Sequence, residues 1–63
     1  MAKRQSALLS SLEETEQALA AVQAGFQETV DEDLLEYYLY SRCALRSRHN
    51  YLLRQLRQTE GAL

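Results

Sequence analysis

Residues 21–38 read AVQAGFQETVDEDLLEYY, and this stretch decides the fold. It closes one apolar stripe, crosses a short acidic break at Asp31 and opens a second stripe of the same kind. Upstream, Leu8, Leu12, Thr15, Leu19, Val22 and Phe26 follow at spacings of 4, 3, 4, 3 and 4. Downstream, Leu34, Tyr38, Ser41, Leu45, Arg48/His49, Leu52 and Leu56 repeat the pattern. Each set falls on one side of an α-helix, because about 3.6 residues complete a turn. Folding the chain at the break sets Leu34 beside Phe26, Tyr38 beside Val22, Ser41 beside Leu19, Leu45 beside Thr15 and Leu52 beside Leu8. The expected fold class is all-α: an antiparallel two-helix hairpin that pairs with a second copy into a four-helix bundle.

The expected boundaries are one domain over residues 1–63, with a helix from about 6 to 27, a turn at 28–31 and a helix from about 32 to 58. Ser10 with Glu13, and Ser11 with Glu14, form two overlapping capping boxes, yet a start near Ser6 keeps Leu8 in the stripe. Beside that stripe lies a face of small residues: Ala7, Ser11, Ala18, Ala21 and Gly25. Asp31 can cap the second helix, with Val30 and Leu35 as its hydrophobic staple, and Thr29 with Glu32 is a competing capping box. Glu32, Asp33 and Glu36 sit where a helix dipole favours negative charge. Gly61 is a natural stop for the second helix.

Sixty-three residues are few for a stable core, since a chain of about 60 residues buries only about 60% of the surface it exposes when unfolded. The usual remedies are a disulfide, a metal or a partner chain. Cys43 is the only cysteine, so no internal disulfide can form, and one thiol fits a reducing, cytoplasmic setting. No Cys/His cluster offers a zinc site. No apolar run approaches the roughly 20 residues needed to span a bilayer, and the acidic polar face of the first helix would be repelled by anionic lipid. Self-association remains.

The net charge of −2 conceals segregation. From Gln5 to Ser41 there are eight acids and no base; from Arg42 to Arg57 there are five arginines and no acid. Arg42, Arg46, Arg54 and Arg57 share roughly a third of the second helix's circumference. Arginine suits phosphate, so this arc is the candidate nucleic-acid face. Against that reading, the hairpin lays these arginines alongside Glu13, Glu14 and Glu16. Most tyrosines occupy a different arc, one edge of an apolar face too wide for a single partner helix. Tyr37, Tyr40, Ala44, Arg48 and Tyr51 are therefore the candidate self-association or partner interface. Arg48 interrupts the apolar arc, so its stem is expected to pack while its guanidinium finds a carboxylate or carbonyl across the hairpin near Leu12, with Glu13 and Glu16 nearby, or an acid on another subunit.

Catalysis finds no constellation. Cys43 and His49 lie about 120° apart on one helix and cannot meet. The carboxylates have no evident cleft to shift their acidity, and there is no Glu-x-x-His motif for a di-metal bundle. The sequence thus predicts a non-enzymatic protein without cofactor, acting through protein–protein contact. The favoured partner is a second copy in a dimer, or else an unknown protein; nucleic acid is the alternative and a membrane is not expected.

The segment Val30-Asp31-Glu32-Asp33-Leu34-Leu35-Glu36-Tyr37-Tyr38-Leu39-Tyr40, followed by Tyr51-Leu52-Leu53-Arg54, resembles the YaaL-like family, small bacterial proteins classed as a domain of unknown function. Phe26, Asp31, Leu34, Tyr37, Tyr38, Tyr40, Tyr51, Leu52, Leu53 and Arg54 follow that pattern, while Glu32 stands where the family often has proline. The resemblance implies a helical hairpin and brings no activity or site residues with it.

Overall fold

The computed structural model describes residues 2–61. Helix α1 runs over Ala2–Glu28 and helix α2 over Glu32–Gly61. Three contacts fix their antiparallel order. The Arg4 guanidinium donates to Gln55 Oε1 at 2.8 Å near the open end. Glu16 Oε2 stands 3.5 Å from His49 Nε2 in the middle, and the Tyr38 ring lies on Gly25 near the turn.

Both helices are longer than the capping signals suggested. α1 starts at Ala2 and passes through Ser10 and Ser11, so neither serine caps. Lys3, Arg4 and Gln5 are good helix formers, and the bond from Arg4 to Gln55 holds the added turn against α2. At the other end α2 continues through Gly61. Among the described residues no glycine has positive φ, so the glycine stop is not made.

The turn is capped by one of the two expected devices. The Asp31 carboxylate accepts from the backbone N–H of Asp33 at 2.9 Å and of Leu34 at 3.2 Å, as an N-cap does. The Thr29 hydroxyl oxygen accepts from the Asp31 N–H at 3.2 Å, which shapes the turn before the cap. The staple fails: Val30 is 95% exposed, because the turn points it outward while Leu35 leans into the seam.

The seam is rotated slightly from the expected stripe. On α1 its axis is the row Leu8, Thr15 and Val22, with Leu12 and Leu19 on one side and Ser11, Ala18 and Gly25 on the other. Part of the small-residue face is thus inside the contact, while Ala7 and Ala21 are outside it. On α2 the facing row is Leu35, Tyr38, Leu45, His49, Leu52 and Leu56, with Leu52 and Leu56 buried. Rows spaced by seven residues keep two helices in contact along their length.

Phe26 and Leu34, expected to pack beside the turn, are not buried there. Phe26 is 40% exposed and Leu34 faces outward too. Their places at the closed end of the seam are taken by Gly25 and Tyr38. A Cβ placed on Gly25 would lie 2.5 Å from Tyr38 Cζ and 2.7 Å from its hydroxyl oxygen. Only glycine leaves room for the ring, and Phe26 is left in the wall of an open cleft with Val22, Gln27 and Tyr38.

This contact predicts a change of sign. Gly25→Ala should lower the melting temperature, since overpacking costs about 1–3 kcal/mol against a helix-propensity gain of about 1 kcal/mol. With Tyr38→Ala already present, the same change should stabilise by about 1 kcal/mol. Thermal melts of the four members of this cycle test it; the same sign in both backgrounds would show that the ring does not need the glycine.

Candidate interaction site

At about 100° per residue, Tyr37, Tyr40, Ala44, Arg48 and Tyr51 fall within an arc of about 80° on α2. The fold turns that arc away from α1. All five residues are exposed, and the rings strongly so: Tyr37 is 61%, Tyr40 70% and Tyr51 52% exposed. Tyr37 is held by an edge-on contact with Tyr38, ring centres 5.4 Å apart and planes at 61°, a geometry favoured by aromatic quadrupoles. Because Tyr38 is itself seated on Gly25, the first ring of the edge is positioned by the core.

Arg48 departs from its expected place. It is exposed, and its stem does not fill the seam; the neighbouring His49 does. Among the described residues the one ion pair is His49 with Glu16, formed when the imidazole is protonated. Neither Glu13 nor Glu16 pairs with Arg48, and the expected arginine–glutamate contacts along the hairpin are not made within 4.0 Å among the described residues.

The other candidate face divides. Arg42 and Arg46 line an open cleft on the flank that carries the Glu16–His49 contact, together with Leu19, Gln23, His49 and Asn50. Gln23 and Asn50 had no signal in the sequence beyond lying on neighbouring helix positions. Arg54 and Arg57 are exposed farther along α2 and do not line this cleft. The structure therefore joins two of the four arginines into one concave surface. Cys43 is an exposed free thiol. Among the described residues, no three of His, Cys, Asp and Glu come together as metal ligands would, and no helix is long and apolar enough to cross a membrane.

The family model described as Protein of unknown function (DUF2508) matches residues 2–60. No curated protein and no solved structure matches the chain.

Proposed function

We propose that this chain, which belongs to the family described as Protein of unknown function, DUF2508, is a non-catalytic protein–protein interaction module whose partner is a second copy, two hairpins closing into a four-helix bundle. The observation that carries this reading is surface area. The hairpin exposes 5076 Å², whereas a compact monomer of its 7.2 kDa mass would expose about 4100 Å². The excess, about 1000 Å², is close to the roughly 800 Å² that each partner contributes to a standard interface.

Its distribution supports the same reading. The side chains of Tyr37, Tyr40 and Tyr51 supply large apolar area with wet hydroxyl ends, the composition of an interface core and rim. The radius of gyration, 14.6 Å, also exceeds the about 10.6 Å of a compact domain of this length. Two hairpins side by side would be nearer to globular. Within this reading we place the chain among the YaaL-like bacterial proteins on the tyrosine pattern of its second helix, and in the cytoplasm on its single exposed thiol.

A second reading, a nucleic-acid-binding accessory protein, is favoured by the cleft that Arg42 and Arg46 share with His49. It ranks below assembly because Glu16 lies on the same flank, 3.5 Å from His49, and offsets its field.

Sedimentation at micromolar concentration separates the two. The native chain should run as a dimer. Ala44→Glu, which would press two carboxylates together, should raise the dissociation constant by roughly 100-fold or more. Arg42→Ala and Arg46→Ala should leave the mass unchanged. A native chain that is a folded monomer, yet binds an oligonucleotide in a salt-sensitive manner that is lost with Arg42 and Arg46, would replace assembly with the second reading.

A further inference from the structure

The exposed edge of α2 has a symmetry of its own. Its members Tyr37, Tyr40, Ala44, Arg48 and Tyr51 are spaced 3, 4, 4 and 3, so the positions read the same in both directions about Ala44. We infer that two copies meet α2 against α2 in antiparallel fashion, with the two-fold axis passing through Ala44; this rests on the self-association reading above.

An isologous contact requires that residue i meet j while j meets i. A two-fold axis at Ala44 meets that requirement with every member of the edge. Ala44 faces its own copy, Tyr37 faces Tyr51 and Tyr40 faces Arg48. The axis falls on the one small side chain of the edge, where helices must approach most closely, and the rings lie to either side. Arg48, which has no acid partner within 4.0 Å in its own hairpin among the described residues, meets the face of Tyr40, a favourable site for a guanidinium.

Charge selects this direction over a parallel one. α2 opens with Glu32, Asp33 and Glu36 and carries Arg54 and Arg57 toward its other end, where Glu60 is the one acid. An antiparallel pair brings the acidic start of one helix to the basic end of the other, and aligns the helix dipoles in opposition. A parallel pair would bring three acids against three acids at one end and crowd the arginines at the other.

Disulfide trapping in a Cys43→Ser background tests the arrangement, with sedimentation run on each variant. Helix axes about 8–10 Å apart at a close crossing bring facing Cα atoms inside about 7 Å, the upper reach of a disulfide. Under mild oxidation Ala44→Cys should therefore trap a covalent dimer. Tyr37→Cys alone should not, because antiparallel copies separate the two positions by about 21 Å along the helix. Mixed with Tyr51→Cys, it should. Efficient trapping by Tyr37→Cys alone would establish a parallel pair and overturn the inference. A failure of Ala44→Cys to trap while that variant still sediments as a dimer would overturn it too, by moving the axis away from Ala44. Monomeric sedimentation of the native chain would instead remove the self-association reading itself.

Discussion

Replacing Leu52 with alanine is expected to remove most of the stability of the hairpin. Among the described residues Leu52 is one of two buried apolar side chains, the other being Leu56, which follows one helical turn later. Deleting a buried leucine side chain costs about 2–5 kcal/mol, because the cavity is only partly refilled. A domain of this size is held by only about 3–9 kcal/mol in total. The melting temperature should fall by roughly 10–30 °C at fixed protein concentration. Leu39→Ala, on an exposed face, should shift it by no more than a few degrees. Circular dichroism melts of the two variants compare a seam position with a surface position of the same chemistry. Equal shifts would mean that stability is not concentrated where the two helices meet.

The reason Leu52 matters, and Leu53 less, was only partly legible in the sequence. Alternating spacings of 3 and 4 on both sides of Asp31 sufficed to find two helices and their antiparallel order, because no other local structure places those residues on one face. One residue along a helix is a rotation of about 100°, and the pairs Leu34-Leu35 and Leu52-Leu53 offer an apolar side chain at either rotation. At the second pair the stripe and the seam agree on Leu52. At the first they do not, because Tyr38 claims the closed end of the seam, and it is Leu35 that turns inward. The ring needs Gly25 beneath it, a demand of volume that a pattern of apolar and polar letters does not carry. Helix ends were legible only in part: at the turn Asp31 prevailed over its rival Thr29, whose hydroxyl accepts from the Asp31 N–H instead of capping α2. Asp31 bonds two backbone N–H groups, whereas Ser10 and Ser11 compete with a longer helix held by Arg4 and Gln55. The tyrosine edge could be placed on the second helix from spacing alone. Spacing puts Arg48 on that edge as well; how far the edge would stand from α1, and that the Arg48 stem would stay out of the seam, required the packing of the two helices.

The second large effect concerns the one buried polar side chain among the described residues. Thr15 is 2% exposed, and its hydroxyl donates to the Ser11 carbonyl one turn back, at 2.8 Å. That bond satisfies the hydroxyl without tying it to α2, and such back-bonding stabilises a helix little. Thr15→Val should therefore be neutral or gain up to about 1 kcal/mol, since it keeps the branched shape and removes a group that must be desolvated. Thr15→Asp should do the opposite, losing about 3–5 kcal/mol, because it sets an unpaired carboxylate in the seam. The loss has a pH signature. Burial disfavours the charged form, so the carboxyl of the folded variant titrates above the unfolded value of about 3.9. As pH rises past that value the unfolded chain ionises first and the variant weakens; below it both states hold the proton and the penalty shrinks. Urea midpoints of the native chain and both variants, taken at pH 7 and pH 3.5, should show the Asp variant approaching the native chain at the lower pH. The Val variant should track the native chain at both. A Thr15→Asp gap that does not change with pH would mean that the position opens to water and that the seam is looser than its packing implies.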